Sequence, residues 1–207
     1  MAKTVDYYFS VASPWAYLGS ARFIEMARRY DASVMAFPME LSRIFAASGG
    51  TTFADRPLQR QHYRQLELAR WSRRLAVPIT LAPRYYPVDR RPASCLLIAA
   101  REAGMPVLEL SHRVLRAIWL EERNIADWDV LAALCADAGL DGMALVDMAR
   151  SPAVARQYDH DTDHAIAMNV FGSPSYIVDG ELFWGQDRLD FVEERLATPE
   201  CPASGAE

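Results

Sequence analysis

The chain has 207 residues, 51% of them hydrophobic and 24% charged, with a formal net charge of −5. A chain of this length buries about 70% of its unfolded surface, so disordered, collagenous and disulfide-scaffold classes are excluded. The acidic balance argues against a nucleic-acid partner or an anionic membrane surface, since both need basic patches. No apolar run reaches 18 residues, so no membrane-spanning helix is indicated. The opening MAKTVDYYFS lacks the apolar stretch of a signal peptide, and a cytoplasmic location is the expectation.

Thr4 to Phe9 (TVDYYF) is rich in β-branched and aromatic residues and predicts a first strand. After a short polar break, Ser13 suits a helix N-cap and Pro14 the first helical position, opening a helix from Pro14 to Tyr30. Ser33 to Met39 predicts a second strand. From Leu41 to about Asn169 the pattern is helical, with breaks at Gly49-Gly50, Pro78 to Pro92, Gly104 to Pro106 and Gly139. The candidate helices there are Leu58 to Leu75, Ser94 to Ala103, Pro106 to Leu120, Asp127 to Ala138, Asp141 to Arg150 and Pro152 to Asn169. The end returns to strands, Ser175 to Val178 and Glu181 to Trp184, around an Asp179-Gly180 hairpin turn, then a helix from Arg188 to Leu196. The order βαβ, many helices, ββα predicts an α/β fold of thioredoxin-like type. Residues 1–40 plus 170–207 form that domain, and residues 41–169 form a large all-helical insertion. Neither terminal piece buries its apolar faces alone.

Three segments carry the candidate chemistry. Cys95, Cys135 and Cys201 form no C-x-x-C pair, which excludes dithiol redox chemistry in that format and suggests reduced structural thiols. His160 and His164 stand four apart among Asp159, Asp161 and Asp163, a pattern that fits a solvated helix face better than a metal site. At Ser13-Pro14-Trp15, the start of the first helix, a thioredoxin-like fold would carry its reactive sulfur. Ser is no redox centre. It either caps the helix or donates a hydrogen bond to a thiolate brought by a ligand. Ser173-Pro174 before the third strand is compatible with a cis peptide bond, and equally with an ordinary strand-leading proline. Gln186 and Asp187 read as a helix start, or as receivers of the charged end of an amino acid.

Together YYFSVASPWAYLG, AFPMEL, YRQLELARW, RYYPVDRRPAS and VFGSPSYIVDGELFWGQDRLDFVEERL resemble the glutathione-dependent 2-hydroxychromene-2-carboxylate isomerases and the kappa-class glutathione transferases. Both belong to the DsbA-like thioredoxin group, and the resemblance runs from about Thr4 to Leu196. It implies glutathione as cofactor. Ser13 would then be the catalytic residue, bonded to its sulfur. Ser173 and Pro174 would hold its cysteinyl backbone, and Gln186 and Asp187 its γ-glutamyl end. Arg60 takes the place of a family lysine at the glutathione, which changes the fork geometry. Gly50 takes the place of a family asparagine in the substrate pocket, and Tyr85 and Tyr86 fall where that pocket is lined. The implied activity is cis–trans isomerisation of an aryl-pyruvate-type substrate in aromatic catabolism, by a homodimer that takes a small aromatic molecule and no metal. A transferase or peroxidase using the same thiolate is the alternative, and a non-catalytic thioredoxin-like binding protein a third.

Overall fold

The computed structural model describes residues 3–198; Cys201 lies outside them. Strand β1 (Thr4–Phe9), helix α1 (Pro14–Arg29) and strand β2 (Ser33–Pro38) open the chain. The helical stretch comprises α2 (Leu41–Ser48), α3 (Leu58–Leu75), α4 (Arg91–Glu102), α5 (Val107–Trp119), α6 (Trp128–Ala136), α7 (Gly142–Ala149) and α8 (Pro152–Ala167). Strands β3 (Ser175–Val178) and β4 (Glu181–Trp184), a 3-10 turn over Gln186–Arg188 and helix α9 (Leu189–Ala197) close it. The βαβ…ββα order expected from the sequence is the order found.

The sheet runs β2-β1-β3-β4. β1 pairs with β2 in parallel, Thr4 opposite Ser33, and with β3 antiparallel, Val5 opposite Val178. Alternation along β1 sorts its side chains to two faces. Val5, Tyr7 and Phe9 join Phe23 of α1, Tyr176, Val178 and Leu189. Tyr8 points the other way, into a smaller cluster with Ile44 of α2, Ala165 of α8, Val170 and Ile177. The larger cluster continues without interruption from the sheet into α4, α5, α6 and α7.

Helix α4 is buried from Ala93 to Ala100, as expected of a helix apolar on every side. It is tied to its surroundings by Arg101, which donates to Asp161 of α8 at 2.8 Å and to the Ala36 carbonyl of β2 at 2.9 Å. This helix begins at Arg91, three residues before the expected Ser94. Pro92 falls in its first turn, where a missing N–H leaves no helical bond unmade, so it starts the helix rather than ending the loop.

Candidate active site

Ser13 is the N-cap of α1, 5% exposed, in extended backbone with Pro14 as the first helical residue. Its Oγ accepts the Ala16 N–H at 3.2 Å and donates to the Ser173 carbonyl at 3.3 Å. Ser173 in turn accepts the Ser10 N–H on its own Oγ at 2.9 Å. The Ser173-Pro174 peptide is cis, and the Pro174 carbonyl accepts the Gly185 N–H at 2.9 Å. One short segment before β3 therefore fastens both the start of α1 and the turn that carries Gln186.

Two glycines make that turn possible. Gly185 has φ of +101°, a region L side chains rarely adopt, and a Cβ there would strike the Asp187 carboxylate. Gly19 on α1 lets the turn approach, since a Cβ at that position would lie 2.7 Å from the Gln186 Cβ. Gln186 is consequently buried between α1 and the turn while still lining the cleft. Asp187 is partly exposed and pairs with Arg188 at 2.8 Å.

The cleft has two adjoining lobes. The first, about 480 Å³, is walled by Gln186, Asp187, Trp184 and the Tyr63–Trp71 side of α3. The second, about 240 Å³, holds Ser13, Phe45, Phe53, Tyr86 and Arg90. Trp15, Arg56, Arg60, Arg64, Ser173 and Trp184 belong to both. The structure thus gathers Ser13, Arg60, Ser173, Gln186, Asp187 and Tyr86 on one cleft. Pro174 adjoins it through the cis peptide to Ser173. Two expected residues stand off it. Tyr85 turns away beneath the Arg84 guanidinium, 5.3 Å from its ring, while Tyr86 packs on Trp119 with ring centroids 5.0 Å apart. The Tyr86-Pro87 peptide is cis. Gly50 follows the left-handed Gly49 and is absent from both walls; a Cβ on it would enter the Phe45 ring.

Arg64 is a cleft residue the sequence reading passed over. It is 8% exposed, with its guanidinium 4.4 Å from the Phe53 ring centroid and 5.9 Å from that of Tyr86. Burial, the foremost influence on it, lowers its pKa from the ordinary arginine value; the neighbouring Arg56 adds to that and Tyr86 opposes it. The available signal was its place on α3. Leu68, four residues on, is the buried position of that helix, so Arg64 stands on the inward stripe, and Arg60 one turn before it is a like charge.

Other titrating groups serve the frame. Burial raises the Cys95 thiol pKa and pushes that of Cys135 up to about 11, leaving neither a ready nucleophile. The helix with His160 and His164 spends its acids on arginines: Asp161 on Arg101, Asp159 on Arg91 and Asp163 on Arg43. His164 Nδ1 faces the Tyr8 hydroxyl at 3.2 Å instead. Among the described residues no group of three His, Cys, Asp or Glu side chains converges as metal ligands, and no helix is long and apolar enough to cross a membrane.

The DSBA-like thioredoxin domain family matches residues 4–197. The chain is 31% identical over 197 residues to a 2-hydroxychromene-2-carboxylate isomerase of Sphingobium xenophagum, covering 95% of this chain and 99% of that one. It is 31% identical over 206 residues to the enzyme of the same name from Pseudomonas sp. (strain C18), covering 97% and 92%. A solved structure of 2-hydroxychromene-2-carboxylate isomerase superimposes with a TM-score of 0.80 at 27% identity, covering 92% of this chain and 93% of the other. Sequence and architecture agree over nearly the whole length: the chain belongs to the DSBA-like thioredoxin domain family and, within it, to the family of the 2-hydroxychromene-2-carboxylate isomerases.

Proposed function

We propose that the protein is a glutathione-dependent cis–trans isomerase acting on a 2-hydroxychromene-2-carboxylate-type, aryl-pyruvate-forming substrate in aromatic catabolism. The observation that carries this reading is the position of Ser13, a buried hydroxyl on the wall of the second lobe, hydrogen-bonded to Ser173, which lines both lobes. The first lobe offers Gln186 and the Asp187 carboxylate, the second Phe45, Phe53 and Tyr86, and Arg56, Arg60 and Arg64 line both.

The residues fit glutathione by their chemistry. Asp187 suits its ammonium, Gln186 and Arg60 suit its carboxylates, and the cis Ser173-Pro174 segment suits its peptide backbone. When bound, glutathione supplies a thiol nucleophile whose reversible addition to a conjugated carbon turns a double bond into a freely rotating single one. The part of the chain is to make that thiol anionic and to orient the two molecules. A free thiol has a pKa of about 8.5, so lowering it by about two units takes roughly 2.7 kcal/mol of preferential anion stabilisation. A hydrogen bond from Ser13 to a charged acceptor contributes about 1.5–3 kcal/mol, and the N-terminus of α1 up to about 2. The Ser13 proton is already directed at an oxygen, the Ser173 carbonyl, so it needs only to swing to a new acceptor. The second lobe orients the substrate, with Phe45, Phe53 and Tyr86 as its aromatic walls.

A crystal soaked with glutathione tests the reading. The expected result places the sulfur within hydrogen-bond distance of Ser13 Oγ and the γ-glutamyl end at Gln186 and Asp187. Glutathione bound elsewhere, or no binding in solution by calorimetry, contradicts it.

A further inference from the structure

Buried guanidinium groups ordinarily face a carboxylate or a set of carbonyls, because an unpartnered charge away from water is costly. Arg64 has neither among the described residues: its side chain is 8% exposed, and its guanidinium opens only onto the cleft. Its neighbours in the cleft are already engaged. Arg56 donates from Nε and Nη2 to the Thr51 carbonyl, each at 3.2 Å, and Arg90 pairs with Glu40 at 3.3 Å. Arg60 is exposed. Among the described residues no Asp or Glu lines the lobe that contains Ser13, so in a chain of net charge −5 this lobe is a local cationic well.

We infer that Arg64 is the carboxylate anchor of the aromatic lobe, the group that selects a planar aromatic or conjugated acid over its neutral counterpart. This deepens the isomerase reading and rests on it for the identity of the natural substrate. Two observations assign Arg64 to the substrate rather than to glutathione. The rings that flank its guanidinium, Phe53 and Tyr86, line the Ser13 lobe and are absent from the Gln186 and Asp187 lobe. Of the arginines on the Ser13 lobe, Arg64 is the buried one that makes no hydrogen bond or ion pair among the described residues, since Arg56 and Arg90 are engaged and Arg60 is exposed. The guanidinium fork can meet both carboxylate oxygens, and the Phe53 face behind it fixes its plane.

The test is equilibrium binding of chromone-2-carboxylate, a stable planar acid, and of its carboxamide, measured without glutathione on the wild-type protein and on Arg64→Met and Arg64→Lys. The acid is expected to bind wild type about 10- to 100-fold more tightly than the amide, the span of a charged hydrogen-bonded pair. Arg64→Met is expected to lose that preference and Arg64→Lys to recover part of it. Glutathione affinity, measured separately, should stay within about twofold. The melting temperature of Arg64→Met should stay close to that of wild type, because the guanidinium faces the cleft and no ion pair is lost. Equal binding of acid and amide by the wild-type protein overturns the inference. So does a parallel loss of glutathione affinity in Arg64→Met, which makes Arg64 a glutathione residue, or a lowered melting temperature with acid preference intact, which makes it structural. A protein that prefers the acid through Arg64 yet isomerises nothing upholds the anchor and removes the isomerase reading.

Discussion

The Ser13 hydroxyl and the Ser173 carbonyl meet at 3.3 Å although 160 residues of chain separate them. This contact joins the start of α1 to the cis-proline segment before β3 and holds the Ser13 hydroxyl at the cleft wall, its proton able to turn to another acceptor. Because the same oxygen also accepts from Ala16, the Ser13 side chain is held in one orientation. Ser13→Ala is expected to lower turnover at saturating glutathione by 10-fold or more, from a loss of about 1.5–3 kcal/mol of thiolate stabilisation. The thiol pKa read from the pH–rate profile should rise with it. Wild-type turnover in this variant would take Ser13 out of the mechanism. Losing the cap alone costs about 1 kcal/mol of stability, which a melting curve separates from the rate effect.

Asp187 lines the lobe that Ser13 does not, and its only ion pair among the described residues is the exposed Arg188. Asp187→Asn is therefore expected to raise the apparent glutathione constant several-fold while the saturated rate falls by less than about twofold, since the lost contact is remote from the sulfur. Unchanged glutathione affinity would leave Asp187 as a turn residue.

Tyr86 has two duties that substitution can separate. One side packs on Trp119 at 5.0 Å and the other faces the cleft. Tyr86→Leu should keep most of the packing and raise the substrate constant about 3- to 10-fold, with glutathione affinity intact. Tyr86→Ala should also lower the melting temperature, by leaving a void against Trp119. A Tyr86→Leu protein with wild-type substrate and glutathione constants would make Tyr86 a core residue only.

Glu40 joins α2, α8 and the cleft. Burial raises its carboxyl pKa, but donors from Ser42 and Tyr158 and the charge of Arg90 outweigh that and hold it below the ordinary carboxylate value. A carboxyl depressed on folding adds stability that is full above its unfolded pKa of about 4.3 and lost as pH falls through the lower folded value. Glu40→Gln is expected to melt about 2–4 °C below wild type at pH 7, the effect of about 1 kcal/mol in a domain of this size. The gap should narrow as the pH falls below about 4.3 and through the lower folded value. A gap that does not narrow at all on acidification would mean the ionised form is not what stabilises.

Local chemistry made much of this legible beforehand. The Ser13-Pro14 helix start, the Asp179-Gly180 hairpin and the Ser173-Pro174 strand entry each depend on residues adjacent in sequence. What failed to show depends on distant packing. Tyr85 and Tyr86 are chemically alike and sit in a loop without periodicity, so nothing local decides which of them faces the cleft; Trp119, more than 30 residues on, does. Arg64 is one of several arginines on the Leu58 to Leu75 helix, and nothing adjacent in sequence sets it apart. It is the α2–α3 loop, folding Phe53 over it, that buries it. Gly50 drew attention for the amide it lacks, and its place off both walls followed only from the left-handed turn at Gly49.

Substoichiometric glutathione provides the most direct test of thiol-assisted isomerisation. The purified protein is given 2-hydroxychromene-2-carboxylate in about 100-fold excess over glutathione, and both substrate and thiol are followed by mass spectrometry. The expected result is complete isomerisation over many turnovers, with glutathione recovered unmodified and no reaction in its absence. Accumulation of a glutathione conjugate, with turnover stopping at one per thiol, would contradict it, as would isomerisation at the same rate with no glutathione present.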